Sequence, residues 1–270
     1  MTVLIISQSL TLGLEQGAQP LTHARIGWHT YHRNSVWSST SSVADFEPSA
    51  LRNDMTLRRW QPSSVPASAT ADIGAQKLID YIGIAAHTFK DNSNSFKVQA
   101  STDGVTFFDI TTDYAPGNND PIMILIEPVT VRHIRLSILS GAAPTVGVMY
   151  FGEVLEMERS VYGGHSPIHL SRKSSTIPRV SESGQWLSKT RVRQGYSSSI
   201  EWANLTASWY RLKFDPFVAS AELHPYFIAW NPLRAPGEVG YCWTDDDIQP
   251  ANSGKRNFMT VSMSMVGYRG

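Results

Sequence analysis

The chain has 270 residues, enough for two domains of ordinary size, and its 23 Lys plus Arg residues balance its 23 Asp plus Glu residues. With no net charge to attract phosphate, a nucleic-acid partner is disfavoured. Only 17% of residues are charged while 10% are aromatic, which leans toward recognition or assembly rather than a freely diffusing helical enzyme.

The first element is the apolar run Val3 to Ile6, inside a predicted strand over Val3 to Leu12 whose partner is either half of the chain. No basic residues precede it and Gln8, Glu15 and Gln16 soon follow, so no signal peptide is expected. No run approaches the roughly 18 apolar residues of a membrane span, so membrane insertion is not expected. Cys242 is the single cysteine. This excludes an internal disulfide, a thiol redox pair and a multi-thiolate zinc site, and it suits maturation in a reducing cytoplasm.

Residues 20 to 70 are poor in strand signals but carry Trp28, Tyr31, Trp37 and Trp60 among Arg25, Arg33, Arg52, Arg58 and Arg59. Flat rings stack on sugar faces while guanidinium groups bond hydroxyls. Trp28, Tyr31, Arg33, Trp37, Arg58, Arg59 and Trp60 are therefore the candidate saccharide-binding residues. The bland alternative is that these rings plug the open end of a sandwich or pack on a neighbouring subunit. His23, His29 and His32 match no zinc spacing, and a structural corner is preferred to a metal site.

Alternation in Phe96, Val98 and Ala100, then Asp103-Gly104, then Thr106 to Ile110, predicts a hairpin. Strands are predicted at Ile122 to Ile126, at Val131 to Leu139 and over Gly147 to Met157. The Ser-, Gly- and Pro-rich residues 160 to 185 read as a connector, which places a domain boundary near residue 157.

Beyond it, Val192, Tyr196, Ile200 and Trp202 share a strand period. Asn204 is the predicted N-cap of a helix over 204–221, kinked or restarted at Asp215-Pro216 and ended by Pro225. Strands follow at Tyr226 to Trp230, Glu238 to Trp243 and Asn257 to Val266. The last carries a stripe of Met259, Val261, Met263 and Met265.

Catalytic signatures are absent from the sequence: no G-x-S-x-G elbow, phosphate loop or H-E-x-x-H helix occurs. Asp245-Asp246-Asp247 lacks a calcium-loop pattern and reads as a solvated acidic turn. Cys242, between Tyr241 and Trp243, reads as a buried small hydrophobe. No enzyme activity, cofactor or metal is expected.

Two resemblances add to this reading. Residues 20 to 157 resemble a discoidin-like, galactose-binding-type β-sandwich through ADIG at Ala71 to Gly74, Leu78 to Ile84, SFKVQASTDGVTFFDI and VRHIRLSIL. The cysteine pair that staples secreted members is missing. The second half resembles minor tail proteins of long-tailed bacteriophages, particularly distal-tail-like proteins. Its resembling segments are IEWANLTASWYRLKFDPFVASA, PYFIAWNP, EVGYCWTDDDIQP and FMTVSMSMVGY.

Together they imply a mainly β chain: a discoidin-like β-sandwich of jelly-roll type over 1–157, and a small β-domain with one helix over 158–270. The implied role is structural: a homo-oligomeric ring, hexamer or trimer, on the tail tube of a virion, assembled in the host cytoplasm beside other tail-tip proteins. The sandwich would touch host-surface glycan. Trp202, Met259, Met263 and Met265 are the candidate oligomer-interface residues, although the stripe can equally fill the core. A stand-alone carbohydrate-binding module and, more remotely, a tail-associated hydrolase are the alternatives.

Overall fold

The computed structural model describes residues 3–6, 19–161, 163–254 and 257–270. In chain order the strands are β1 (Val3–Ile6), β2 (Arg25–Gly27), β3 (Val36–Ser39), β4 (Ala67–His87), β5 (Phe96–Ser101), β6 (Phe108–Asp109), β7 (Ile122–Ile138), β8 (Val146–Gly152) and β9 (Leu155–Glu156). They continue as β10 (Arg172–Val180), β11 (Trp186–Thr206), β12 (Tyr226–Ala229), β13 (Val239–Thr244), β14 (Pro250–Asn252) and β15 (Phe258–Gly267). One helical segment, α1, intervenes between β11 and β12. It has an α-helical turn at Ala207–Trp209, a π-helical turn at Tyr210–Phe214 and an α-helical stretch at Asp215–Ala221.

The first sheet is organised by two long strands. β4 and β7 pair antiparallel along their length, with register breaks between Asp72 and Lys77 and between Ile79 and Tyr81. One half of the pair carries β3, β5 and β6 and the other carries β8 and β1, so the halves enclose one core. In the first half, Ala67, Ala69 and Ala71 face Ile138, Leu136 and Ile134 across the ladder. The alanine row leaves volume that Trp37 fills, paired with Ala71 and 5.9 Å from the Phe151 ring. Backbone pairing of β1 with Ile122–Leu125 places the Val3–Ile6 strand with the sandwich; the predicted continuation to Leu12 lies outside the described residues.

The second half of the first sheet is buried on both faces. Ile82, Ile84, Ile122, Ile124, Met149 and Phe151 point into the sandwich core. Their neighbours Tyr81, Ala85, Met123, Leu125, Val148 and Tyr150 join Phe227, Ala229, Val239 and Tyr241 of β12 and β13 in a seam. Two buried faces require a near-continuous apolar sequence. Gly83 makes the seam close: a Cβ there would lie 2.5 Å from the Phe227 ring.

The second sheet runs β10-β11-β15-β13-β12-β2-β9, with β14 on β15. Its other face is covered by α1, whose Tyr210, Phe214, Phe217 and Ala221 share a core with Ile200, Trp202, Met263 and Met265. Because β2 and β9 belong to this sheet, a cut at residue 157 does not separate the two sheets.

Several expectations need correction. Arg172–Val180, inside the presumed connector, is a strand paired with β11; its serines and Pro178 are tolerated because little packs against them. Asn204 is not the N-cap. It takes φ 59 beside a register shift between Trp202 and Leu205, a left-handed conformation that Asn tolerates. Thr206 precedes the helix instead, and both its N–H and its hydroxyl donate to Glu158, at 2.7 and 2.9 Å.

The Thr106 to Ile110 strand shrinks to Phe108–Asp109, because Asp103 Oδ1 accepts the N–H groups of Val105 and Thr106, both at 2.8 Å. Trp202, Met263 and Met265 are fully buried and Met259 half-buried. Trp202, Met263 and Met265 fill the core beneath α1 and offer no docking surface, while Met259 packs against that core with part of its side chain exposed.

Candidate functional site

The antiparallel pairing of Ile26 with Leu155 and Arg25 with Glu156 fixes what happens just past that short ladder. Continued by two residues, the register brings Trp28 opposite Glu153. A shallow cleft of about 240 Å³ forms there, lined by Trp28, His29 and Glu153 from these strand ends and by Leu212, Lys213 and Pro216 of α1. Trp28 is held from behind by Phe217, with ring centroids 6.2 Å apart.

A polar network steadies the carboxylate. Tyr31 donates its hydroxyl to Glu153 Oε1 at 2.9 Å, and His29 Nδ1 lies 3.5 Å from the same oxygen. The His29 and Tyr31 rings meet edge-on at 5.1 Å, and Lys77 Nζ lies 5.8 Å from the Tyr31 ring centroid. Burial, then the bond to Glu153, pushes the Tyr31 phenol well above its ordinary range. Asp80 accepts the Val154 N–H at 2.7 Å. Burial raises its carboxyl to about 7 despite that bond, with the charges of Glu153 and Glu156 adding to the rise.

An indole face, a fixed carboxylate, an imidazole and the Lys213 ammonium around an open cleft form a set that can hold a polyol with one apolar face. Of the residues singled out from sequence, the structure brings Trp28 and Tyr31 to this place. The others go elsewhere. Trp37 and Trp60 are buried, with Trp37 Nε1 donating to the His32 carbonyl at 3.2 Å and Trp60 Nε1 to that of Ser41 at 3.3 Å. These two rings plug the sandwich and cannot stack on a ligand.

Arg33 is spent on Asp54 at 3.1 Å and on the Tyr150 hydroxyl at 3.0 Å. Arg59 bonds the Thr56 carbonyl and Thr145, while Arg58 is exposed away from the cleft lining. The sequence reading missed His29 as a ligand contact, and Lys77, Glu153 and Lys213 entirely. The β2–β9 pairing brings Glu153 and His29 together, and strands of two and three residues give no periodic signal; Lys77 and Lys213 arrive from β4 and α1 only through tertiary packing.

The histidine cluster does not converge. His23 Nδ1 meets the Met157 carbonyl at 2.9 Å, His29 faces Glu153, and His32 is buried with Nε2 3.2 Å from Asp54. Among the described residues no group of three His, Cys, Asp or Glu side chains is placed to hold a metal. Among them, too, no helix is long and apolar enough to cross a membrane. Cys242 is buried and its thiol is pushed far up by that burial.

Residues 35–150 match the family model described as the F5/8 type C domain, and that part of the chain is a discoidin-like β-sandwich. Similar solved structures include a CBM32 module of Clostridium perfringens in complex with GalNAc-β-1,3-galactose, at 14% identity and a TM-score of 0.42, covering 46% of this chain and 99% of that one. Chitosan-binding module 1 of a Paenibacillus sp. IK-5 chitosanase/glucanase has 16% identity and a TM-score of 0.42, with 46% and 99% covered. The family 32 module of C. perfringens NanJ, in complex with galactose, has 12% identity and a TM-score of 0.41, with 47% and 98% covered. No curated protein matches the chain.

Proposed function

We propose that the chain is a non-catalytic structural subunit of a bacteriophage tail tip, a homo-oligomeric ring member that holds host-surface saccharide in the Trp28–Glu153 cleft, beside its discoidin-like lobe. The observation that carries the saccharide part is the half-buried Trp28 ring beside a carboxylate whose position is set by Tyr31. The cleft is small and open, so a single copy binds weakly. A ring repeats the cleft and multiplies weak contacts into avidity.

The test is a glycan array with the full chain, followed by calorimetry on the best saccharide with wild type and Trp28→Ala. Retained binding in Trp28→Ala removes the cleft from the proposal. Electron microscopy of the purified protein tests the ring, and a chain that binds saccharide but stays monomeric favours the second reading, a stand-alone carbohydrate-binding module. The open cleft suits that reading equally. Turnover of a host polysaccharide by the isolated chain would instead establish a hydrolase.

A further inference from the structure

Between residues 172 and 193, β10 and β11 form a two-stranded ribbon. β11 joins β15 only from Tyr196 onward, so nearer the tip its ladder partner is β10. Isolated two-stranded ribbons are marginal in water unless something covers one face. This one carries large apolar side chains in the open: Trp186 is 70% exposed and opposes Val180, 61% exposed. Leu187 and Val192 are exposed too, each at a point where the register skips a residue of β11. Such bulges re-aim side chains and discourage edge pairing.

The ribbon is also strongly basic. It holds Arg172, Lys173, Arg179, Lys189, Arg191 and Arg193 against the single acid Glu182 at its turn. The chain as a whole is neutral, so each copy carries the balancing negative charge elsewhere. Part of it gathers beside α1, where Glu222, Asp246 and Asp247 line a cleft of about 210 Å³ together with half-buried Val218 and with Asp245, which already lies 3.5 Å from Lys173 at the base of its own ribbon. The outer part of the arm and this cleft thus carry opposite charge.

We propose that the β10–β11 ribbon is a docking arm that seats against the acidic cleft of a second copy of this chain. Donor and acceptor are different patches, so the contact is head-to-tail and repeats until a ring closes. The inference deepens the ring reading above and rests on it. It moves the contact from the buried Met263 and Met265 to exposed residues. Paired opposite charges orient the encounter, and the Trp186–Val180 end excludes water once docked.

Sedimentation velocity on the full chain tests this with three variants at exposed positions: Trp186→Ser with Leu187→Ser, Lys189→Glu with Arg191→Glu, and Asp246→Lys with Asp247→Lys. Circular dichroism checks that each keeps the wild-type fold. Wild type should associate, less so in high salt, and each variant should weaken association about tenfold or more. Mixing the two charge-reversed variants should restore it. A wild-type oligomer that all three variants leave intact overturns the arm while leaving the ring reading standing. A wild type that stays monomeric overturns both. A monomeric wild type that binds phosphatidylserine vesicles, with loss of binding in the Lys189→Glu, Arg191→Glu variant, assigns the arm to a membrane surface instead.

Discussion

Tyr241 of β13 donates its hydroxyl to the backbone carbonyl of Asp54 at 2.7 Å, joining residues 187 positions apart. The Asp54 side chain completes the connection. It accepts from Tyr150 at 2.5 Å and from Arg33 at 3.1 Å, and lies 3.1 Å from His224 Nδ1. Burial opposes ionisation of this carboxyl, but the nearby His32 ring, 3.2 Å away, and the bonds from Tyr150 and Arg33 outweigh it and hold the group well below the usual carboxylate range. One loop residue of the sandwich therefore anchors the second sheet and the segment that follows α1.

Tyr241→Phe removes one bond across this seam and keeps the ring. Urea unfolding should show a loss of about 1 kcal/mol. Asp54→Ala should cost more, because Arg33 loses its carboxylate and Tyr150 the nearer of its two acceptors, the Pro225 carbonyl remaining. A loss in Asp54→Ala no larger than that in Tyr241→Phe would contradict the carboxylate's larger share in the seam, since the backbone carbonyl that accepts from Tyr241 survives the substitution.

Gly83→Ala drives a methyl group into the Phe227 ring. Overpacking of this kind costs about 1–3 kcal/mol. The paired change Gly83→Ala with Phe227→Leu should recover part of the loss, since the smaller side chain vacates the colliding position. No recovery in denaturant unfolding would place the strain in the backbone rather than at the seam.

Asp80 makes stability depend on pH in the direction opposite to a paired carboxylate. Its folded value of about 7 lies above the ordinary unfolded value near 4. The folded state thus holds the proton longer, and stability falls as pH rises from about 4 through 7. Asp80→Asn keeps an oxygen for the Val154 N–H and removes the titration. The melting temperature of the variant minus that of wild type should therefore grow from pH 5 to pH 8. A difference that stays flat across this range contradicts the burial of a protonated Asp80.

Trp28→Ala and Trp60→Ala should part company. Trp60 is fully buried, and its loss should cost about 3–5 kcal/mol of stability. Trp28→Ala, which removes a half-buried ring from Phe217, should cost clearly less stability than Trp60→Ala and weaken saccharide binding by about tenfold, equivalent to about 1.4 kcal/mol. Calorimetric titration alongside thermal unfolding separates the two effects.

The amino-acid sequence by itself determined the β-rich class, the alternation that builds β5 and β7, the helix before β12 and its restart at Asp215-Pro216. Each is written in neighbouring residues, because periods of two and of 3.6 and the missing N–H of proline act locally. It did not distinguish exposed rings from buried ones. Trp28 and Trp37 sit in equally aromatic surroundings along the chain, yet one lines a cleft and the other fills the space above an alanine row. That outcome depends on Ala71 and Phe151, which lie 34 and 114 positions from Trp37. Likewise, Glu153 reaches Tyr31 only because Ile26 pairs with Leu155, and the ribbon's exposure follows from where β15 stops. Burial and long-range register are properties of the packed chain, so the tertiary structure alone decided which side chains are left to meet a ligand or another subunit.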